Sequence, residues 1–495
     1  MTQDEGTARH RVSQGLPTLA AIVLIALMST GTMFLTTSIL LLGPIAGLTA
    51  ALGVRRLLDA GLAAAAGVIA ATLVVSAARW APVSAWGPPM LRDALIAAVV
   101  ALAVRWLLDR SPRSAGLVVA AALTLIVATG WWSATALATS ELRPGLSRVQ
   151  YLANQPLMSD KSSDEDIYLS YIRRMATGES YYHAAVAALS ASNAEHPLGP
   201  IQLENPLSYR LPTLYWLLSR LPTDGWSLVV ALLCVGSVAA LSGYVLARQY
   251  VPAPLALASS AGLTGLYATY STVPGLLHAE IWAGAFALMA VTLFVLARRN
   301  PGHAVGYMVA AAAAALFAAL IRELAAPVVV LGLALTLLDS DARRRRLWVP
   351  WAVALGVTAA GYAAHWAAAT AAFRAATLPK LASQPDRGWW RPDGLGLYGG
   401  VDFFRGIMAW PLAAGWVAAA FGAAGAVFGP RDRLERLMTT ALVGGGMIVV
   451  AFLRPNGSTS TGAPVGYWSE IYIPTMVACI PLALAWLPGA RNAED

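Results

Sequence analysis

The sequence predicts an all-α, polytopic membrane protein with about 14 transmembrane helices. Of its 495 residues, 58% are hydrophobic and 12% are charged. The mean hydropathy of +0.61 lies far above the range of a soluble globular protein. Apolar runs of about 18 or more residues recur along the chain, and each is long enough to cross a bilayer as a helix. The runs are continuous and do not alternate with polar residues, so helices are the expected spanning elements.

Arginine clusters give the predicted orientation, because short cytoplasmic loops collect Lys and Arg. Clusters such as Arg298–Arg299 and Arg343–Arg346 are placed inside, which puts both termini in the cytoplasm and the formal net charge of +8 on that side. The predicted topology then accounts for the excess of positive charge, and no nucleic-acid partner is expected. The predicted spans are roughly 17–35, 37–54, 60–78, 94–109, 115–138, 225–247, 253–272, 279–297, 304–321, 324–338, 347–368, 406–428, 437–453 and 470–488.

The spans divide the chain into two predicted domains. Residues 1–114 are expected to form an additional N-terminal module of four spans, and residues 115–495 a membrane core. The layout leaves two long external loops, 139–224 and 369–405. The first has apolar residues at helical spacing and the second is rich in aromatic residues, which predicts interfacial amphipathic helices in both.

The first external loop contains an acidic segment that is unusual for so apolar a chain. In "SSDEDIYLSYIRRMATGESYY", Asp164, Glu165 and Asp166 stand side by side. One interpretation is a solvated loop, because carboxylates outside a membrane are common. The other is a group of catalytic acids at the start of an interfacial helix.

The surrounding residues favour the catalytic interpretation. Asp164-Glu165 followed by Tyr168 gives D-E-x-x-Y, two arginines follow one to two turns later, and Gly178-Glu179 ends the predicted helix. This pattern resembles the first external loop of the GT-C glycosyltransferases, such as lipid A aminoarabinose transferases and protein O-mannosyltransferases. Short segments within 204–221, 276–282, 321–327 and 452–476 resemble later parts of the same enzymes. One departure is that about five spans precede the acids here, whereas most members have one.

The resemblance implies a function and a location. The chain would be a GT-C-type enzyme of the bacterial inner (plasma) membrane, with its active site facing the periplasm or exterior. It would move a sugar from a polyprenyl-phosphate donor to a hydroxyl of a lipid, glycan or protein acceptor. Asp164 would be the general base, Glu165 would orient it or a donor hydroxyl, and Asp166 would be secondary.

The leaving phosphate of such a donor needs positive groups, and arginine binds phosphate well because its planar fork donates two parallel hydrogen bonds. The candidate phosphate ligands are Arg322, Arg454, Arg173, Arg174 and Arg405. Arg322 sits between apolar runs, where an unpaired charge costs several kcal/mol. It therefore has a second interpretation, as a structural ion pair with its neighbour Glu323.

Other side chains are expected to line the same cavity. They are Glu280, His278, Glu323, Tyr168 and Tyr182. No resident cofactor or metal is expected, with Mg²⁺ or Mn²⁺ at the acidic segment as the alternative.

Two functions of other classes remain open at the level of the sequence. A transporter or flippase for lipid-linked sugars would suit the number of spans, and a noncatalytic membrane scaffold would leave the acidic segment unexplained. The position of the charges discriminates between a transferase and a flippase. A transferase should gather acids and arginines in one outward-facing cavity, whereas a flippase needs polar groups along a path through the membrane.

Overall fold

A computed structural model describes residue 21 and residues 164–195, 203, 206–221, 226–272, 277–376, 401, 412–452 and 466–485. Within these ranges the chain is helical and contains no strand. In the part of the chain that the structure describes, three helical segments are long and apolar enough to cross a membrane, namely Val230–Arg248, Ala279–Arg299 and Pro301–Ile321. Shorter apolar helical segments cover Glu323–Leu338, Trp416–Phe428 and Ile473–Leu484. These features confirm the all-α membrane class, while the number of spans stays a prediction.

The described helices are numbered here in chain order. They are α1 (Asp164–Ala176), α2 (Tyr181–Glu195), α3 (Pro212–Leu218), α4 (Trp226–Arg248), α5 (Ala253–Thr272), α6 (Ala279–Arg299), α7 (Ala304–Ile321), α8 (Ala326–Leu338), α9 (Ser340–Arg344), α10 (Val349–Ala375), α11 (Leu412–Phe428), α12 (Arg433–Thr440), α13 (Gly446–Phe452) and α14 (Ile473–Cys479). Short 3₁₀ turns cover Pro206–Ser208, Pro301–His303, Glu323–Ala325, Gly466–Ile471 and Ile480–Leu484.

Helices α4 to α8 follow the predicted spans closely, and α5 and α7 have the predicted bounds. The last two predicted spans are less regular than expected. Residues 437–453 correspond to α12 and α13 joined by a π-helical turn at Ala441–Gly445, where consecutive glycines weaken the regular ladder. The predicted span 470–488 is described as far as residue 485, where it consists of the short α14 between two 3₁₀ turns. Apart from residue 21, the module 1–114 and the first five predicted spans lie outside the described residues, and so do residues 377–400 and 402–405 of the loop 369–405.

Helix α6 lies at the centre of the described bundle. It packs against α4, α7, α14 and the Gly466–Ile471 turn, and every residue of α14 is buried. Small residues allow this close packing, as is common between membrane helices. At Gly425 of α11, an added Cβ would lie 1.8 Å from the carbonyl oxygen of Cys479, so only glycine fits.

Helix α1 confirms that the acidic segment of the predicted first external loop is helical. α2 packs against α10, and α3 packs against α7. The expected single apolar face is not seen in α1, because all residues from Ile167 to Ile172 are buried. A Schellman motif ends α1: the N–H of Gly178 donates to Met175 and the N–H of Glu179 donates to Arg174. Gly178 has φ +100°, which explains the glycine.

A charged cluster joins three helices at the Arg298 end of α6. The Arg298 guanidinium donates to Asp432 at 2.9 Å and also contacts Asp339. Asp339 caps α9 and Asp432 caps α12 through backbone N–H groups. Burial alone would raise the pKa of each carboxyl, but these hydrogen bonds and Arg298 hold both pKa values below 3.8. We call Arg298, Asp339 and Asp432 the Arg298 cluster.

Candidate functional site

The opposite end of α6 and α7 contains a buried ion pair. α7 ends at Ile321, and the extended backbone of Arg322 leads into the Glu323–Ala325 turn. The Arg322 Nε donates to Oε1 of Glu280 at 2.7 Å, and the side chains are 2% and 1% exposed. Arg322 also contacts the carboxylate of Glu323. The structure therefore shows the Arg322–Glu323 pair that the sequence left open and adds Glu280 from the first turn of α6.

A second buried pair lies beside the first. His278 immediately precedes α6, and its Nδ1 lies 3.0 Å from Oε1 of Glu470. Both side chains are buried. Among the described residues, Oε2 of Glu470 and the hydroxyl of Tyr270 have no hydrogen-bond partner. The Tyr270 hydroxyl nevertheless lies close enough to the Glu470 carboxyl to interact with it.

Gly284 explains how Glu470 reaches His278. An added Cβ at Gly284 would lie 2.5 Å from the backbone oxygen of Glu470 and 3.0 Å from that of Ile471. The missing side chain lets the Gly466–Ile471 turn lie directly on α6. The carboxyl of Glu470 is thereby delivered to the same helix end as Glu280.

Arg210 connects these pairs to the acidic segment. It precedes α3, and its Nε donates to the hydroxyl of Tyr168 at 3.0 Å. It also lies close enough to Glu280 and Arg322 to interact with both electrostatically. Tyr168 is one helical turn after Asp164, at which α1 begins. The start of the acidic helix and the buried ion pair therefore belong to one region of the fold.

Four tyrosines form the packing around this connection. They are Tyr168, Tyr171, Tyr181 and Tyr215, with ring centroids 5.3 to 6.3 Å apart. The hydroxyl of Tyr181 donates to the backbone oxygen of Arg210. The Tyr215 hydroxyl is buried and has no hydrogen-bond partner among the described residues. Burial raises the pKa of Tyr181 and Tyr215 well above 10.0, so both phenols stay protonated and can donate.

Tyr182 makes a separate contact with the helical bundle. Its hydroxyl and Nδ1 of His365 on α10 are hydrogen-bonded at 3.0 Å. The rings lie 5.6 Å apart between centroids. This contact ties α2 to α10 beside the buried region, and Glu323 lies close enough to interact electrostatically with His365.

The structure places the predicted site residues in three groups. Asp164, Glu165 and Asp166 form the first turn of α1, and their side chains lie outside the described part of the structure. Arg174 forms an ion pair with Glu179 at 3.1 Å, with the side chains 34% and 40% exposed. The half-buried Arg173 lies beside it in the last turn of α1. Arg405 and Arg454 lie outside the described residues.

The predicted cavity residues His278, Glu280, Arg322 and Glu323 meet, and they are joined by two residues that sequence analysis missed. We call the set Arg210, His278, Glu280, Arg322, Glu323 and Glu470 the Arg322 cluster. Arg210 could have been found as a charge directly before the apolar "LPTLYWLL", and Glu470 as the lone acid in "YWSEIYIPTM". Both stand in segments that otherwise read as membrane-facing.

The cluster offers donors and acceptors rather than a metal site. Among the residues that the structure describes, no group of three or more His, Cys, Asp or Glu side chains is arranged to hold a metal ion. The carboxylates of Glu280 and Glu323 already accept from Arg322. Chemically, the cluster supplies fixed positive charge from two guanidinium groups and a His–Glu pair that can hold a proton, and the neighbouring tyrosines add protonated phenols.

These contacts form one continuous polar region that runs from Tyr168 through Arg210 to Arg322 and Glu280. Its members come from the acidic loop, from the ends of α6 and α7, and from the turn before α14. No protein-family model, no curated protein and no solved structure matches the chain.

Proposed function

We propose that this chain is a GT-C-type integral membrane glycosyltransferase. It transfers a sugar from a polyprenyl-phosphate donor to an acceptor hydroxyl at the Arg322 end of the bundle. Asp164 takes the proton of the acceptor hydroxyl, the bond between the hydroxyl oxygen and the anomeric carbon forms, and the bond from that carbon to the phosphate oxygen breaks. The lipid phosphate leaves with the bonding electrons.

One observation carries the proposal: the hydrogen bond between Arg210 and Tyr168. It joins the helix that begins with the acidic motif to the buried ion pair of Arg322 and Glu280. General-base chemistry on a phosphate-linked sugar needs a carboxylate and positive charge in one place. In the proposed site, the carboxylates at the start of α1 and the guanidinium groups of Arg210 and Arg322 act together at one end of the bundle.

The distribution of charge in the described helices supports transfer over flipping. In α4 to α8, the charged residues Glu280, Arg248, Arg298 and Arg299 lie in the first or last turns. The polar residues buried between the ends of these helices are serines and threonines. A path for a charged headgroup usually needs ionisable groups near the midplane, and those helices supply none there.

The structure also limits the role of two arginines. Arg322 is held by two carboxylates, and Arg174 is paired with Glu179. Arg210 is a candidate for the phosphate contact in their place, because it is only half-buried and lies next to Tyr168. Arg405 and Arg454 remain candidates from the sequence.

The test uses the purified full chain in detergent with a panel of polyprenyl-phosphate sugars. Sugar transfer predicts release of lipid phosphate with at least one donor and one acceptor class. The same preparation in proteoliposomes with a fluorescent lipid-linked sugar tests the alternative. Movement of the lipid across the bilayer without release of lipid phosphate would contradict the transferase function and support a flippase function instead.

The orientation of the chain in the membrane is tested in intact cells that express it. Single-cysteine probes at Ser163 and Ser383 should react with an impermeant thiol reagent from outside, whereas a probe at Arg345 should not. Labelling at Arg345 alone would invert the topology and move the proposed site to the cytoplasm.

A further inference from the structure

A cavity of about 630 Å³ lies at the Arg298 end of the bundle, away from the Arg322 cluster. The end of α6, the start of α7, the end of α8 and the short α9 enclose it. Glu280 and Arg298 are 18 residues apart on α6, so the two ends are separated by about 27 Å at 1.5 Å per residue. This cavity is therefore separate from the proposed site of sugar transfer.

The walls of the cavity combine two kinds of surface. Phe294, Met308, Leu335 and Leu347 provide apolar contact. Arg344 and Arg345 stand on the α9 side together with the carboxylates of Asp339 and Asp341. Apolar walls with cationic groups at one side suit a molecule that has both a hydrocarbon part and an anionic group.

Arg344 in α9 and Arg345, which follows α9, retain capacity for an anionic ligand. The Arg298 guanidinium in the same cavity is already paired with Asp339 and Asp432. The Arg345 Nη1 donates to the backbone oxygen of Pro301 at 3.2 Å, which fixes that guanidinium on the side of α7. Arg344 lies 3.9 Å from Asp341, and both side chains are about four-fifths exposed, so water weakens this pair.

The backbone at Arg346 gives an independent reason to assign a role to the basic run. α9 ends in the same hydrogen-bonding pattern as α1: the N–H of Arg346 donates to Arg343 and that of Leu347 to Ala342. The residue in the left-handed position is Gly178 in α1 but Arg346 in α9, with φ +57°. A side chain there costs about 1–2 kcal/mol relative to glycine. The chain thus keeps a positive charge where glycine would be more stable.

Exposed apolar residues show that the cavity lies beside the lipid-facing surface. Val305 on α7 and Leu338 on α8 are 62% and 69% exposed, and Val309 and Val349 are also exposed. These positions flank the cavity in sequence and carry no polar group. A lipid chain can therefore cover them while its headgroup reaches α9.

We propose that this cavity binds the phosphate headgroup of an anionic phospholipid from the leaflet that faces the Arg298 end. Arg344 and Arg345 donate to the phosphate, Arg346 adds positive charge, and the acyl chain lies along Phe294 and Met308. According to the positive-inside prediction, this leaflet is the one that faces the cytoplasm. The proposal does not depend on the transferase function.

The test measures phospholipid binding to the purified full chain in detergent by native mass spectrometry. Wild-type protein should retain dioleoylphosphatidylglycerol in preference to dioleoylphosphatidylcholine. The variant Arg344→Gln/Arg345→Gln should bind phosphatidylglycerol roughly 25-fold more weakly, at about fivefold per arginine near a lipid surface. Arg374→Gln is the matched control, because Arg374 is exposed at the far end of α10, and it should bind as wild type does.

Two further measurements complete the test. Arg346→Gly should raise the thermal transition without lipid, because the strain is relieved, while weakening retention of phosphatidylglycerol. Equal retention of phosphatidylglycerol by wild type and the double variant would overturn the proposal and leave the arginines as topology signals. Displacement of the lipid by millimolar inorganic phosphate would show a free-anion site instead and overturn the assignment to a lipid.

Discussion

The ion pair between Arg322 and Glu280 allows the buried cluster to be tested directly. Both side chains are almost fully buried, whereas Glu323 is 31% exposed. Removing one partner of a buried pair leaves an uncompensated charge and costs about 3–5 kcal/mol. We expect Arg322→Met to reach the lower part of this range, because buried Glu280 loses the guanidinium that donates to it and keeps the longer-range interactions with Arg210 and His278.

The other two single variants should cost less. Glu280→Gln keeps the shape and leaves Arg322 in contact with Glu323, so its cost should be smaller than that of Arg322→Met. Glu323→Gln removes a half-exposed partner and should cost about 1–2 kcal/mol. The predicted order of destabilisation is therefore Arg322→Met, then Glu280→Gln, then Glu323→Gln.

A double-mutant cycle measures the coupling. The free energy of unfolding is obtained from denaturant titrations in micelles for wild type, Arg322→Met, Glu280→Gln and the double variant. The double variant should lose less than the sum of the single losses by at least about 1 kcal/mol, because neither charge is then stranded. Arg374→Met, on an exposed arginine of α10, is the control and should change stability by less than about 0.5 kcal/mol. Additive losses, or a fully stable Arg322→Met protein, would refute the pairing.

Three further predictions concern the helix ends and the packing of the site. Gly178→Ala should lower the free energy of unfolding by about 1–2 kcal/mol, since φ is +100° and no neighbour lies near the added Cβ; equal stability in denaturant titration would argue against the motif. Gly284→Val should lower the thermal transition by several degrees, because its side chain would push the turn before α14 off α6; an unchanged transition would show that the close contact is not needed. Asp339 and Asp432 have pKa values lowered in the folded state, so their stabilisation is present above their usual pKa of 3.8 and is lost as pH falls through the folded values. The thermal transition of wild type should therefore drop more steeply below about pH 4 than that of the Asp339→Asn/Asp432→Asn variant, and parallel profiles would contradict this.

The sequence predicts the described helices well where apolar runs end at strong local signals. α7 has its predicted bounds because Pro301 lies just before its start and the charged pair Arg322-Glu323 follows its end. Gly178 was expected to end a helix, and its positive φ explains why. In these places local chemistry alone decides where the helix begins or ends.

The partners within the site could not be predicted, because they depend on tertiary packing. The sequence left Arg322 either as a phosphate ligand or as a partner of Glu323, its neighbour in sequence, and the structure adds Glu280, which is 42 residues away. Glu470 reaches His278 across 192 residues because Gly284 leaves room for the turn that carries it. Arg210 was overlooked because its role appears only when α3 lies against α1.

The central claim is that the acidic start of α1 performs base chemistry at the Arg322 end of the bundle. Its most direct test compares Asp164→Asn with wild type for release of lipid phosphate and for binding of the donor. Asp164→Asn should lower turnover by about 10²–10⁴ while the affinity for the donor stays unchanged, and Asp166→Asn should do less. Asp341→Asn, at an exposed acid near the Arg298 cluster, is the control and should turn over as wild type does. Full turnover by a correctly folded Asp164→Asn protein would contradict the account.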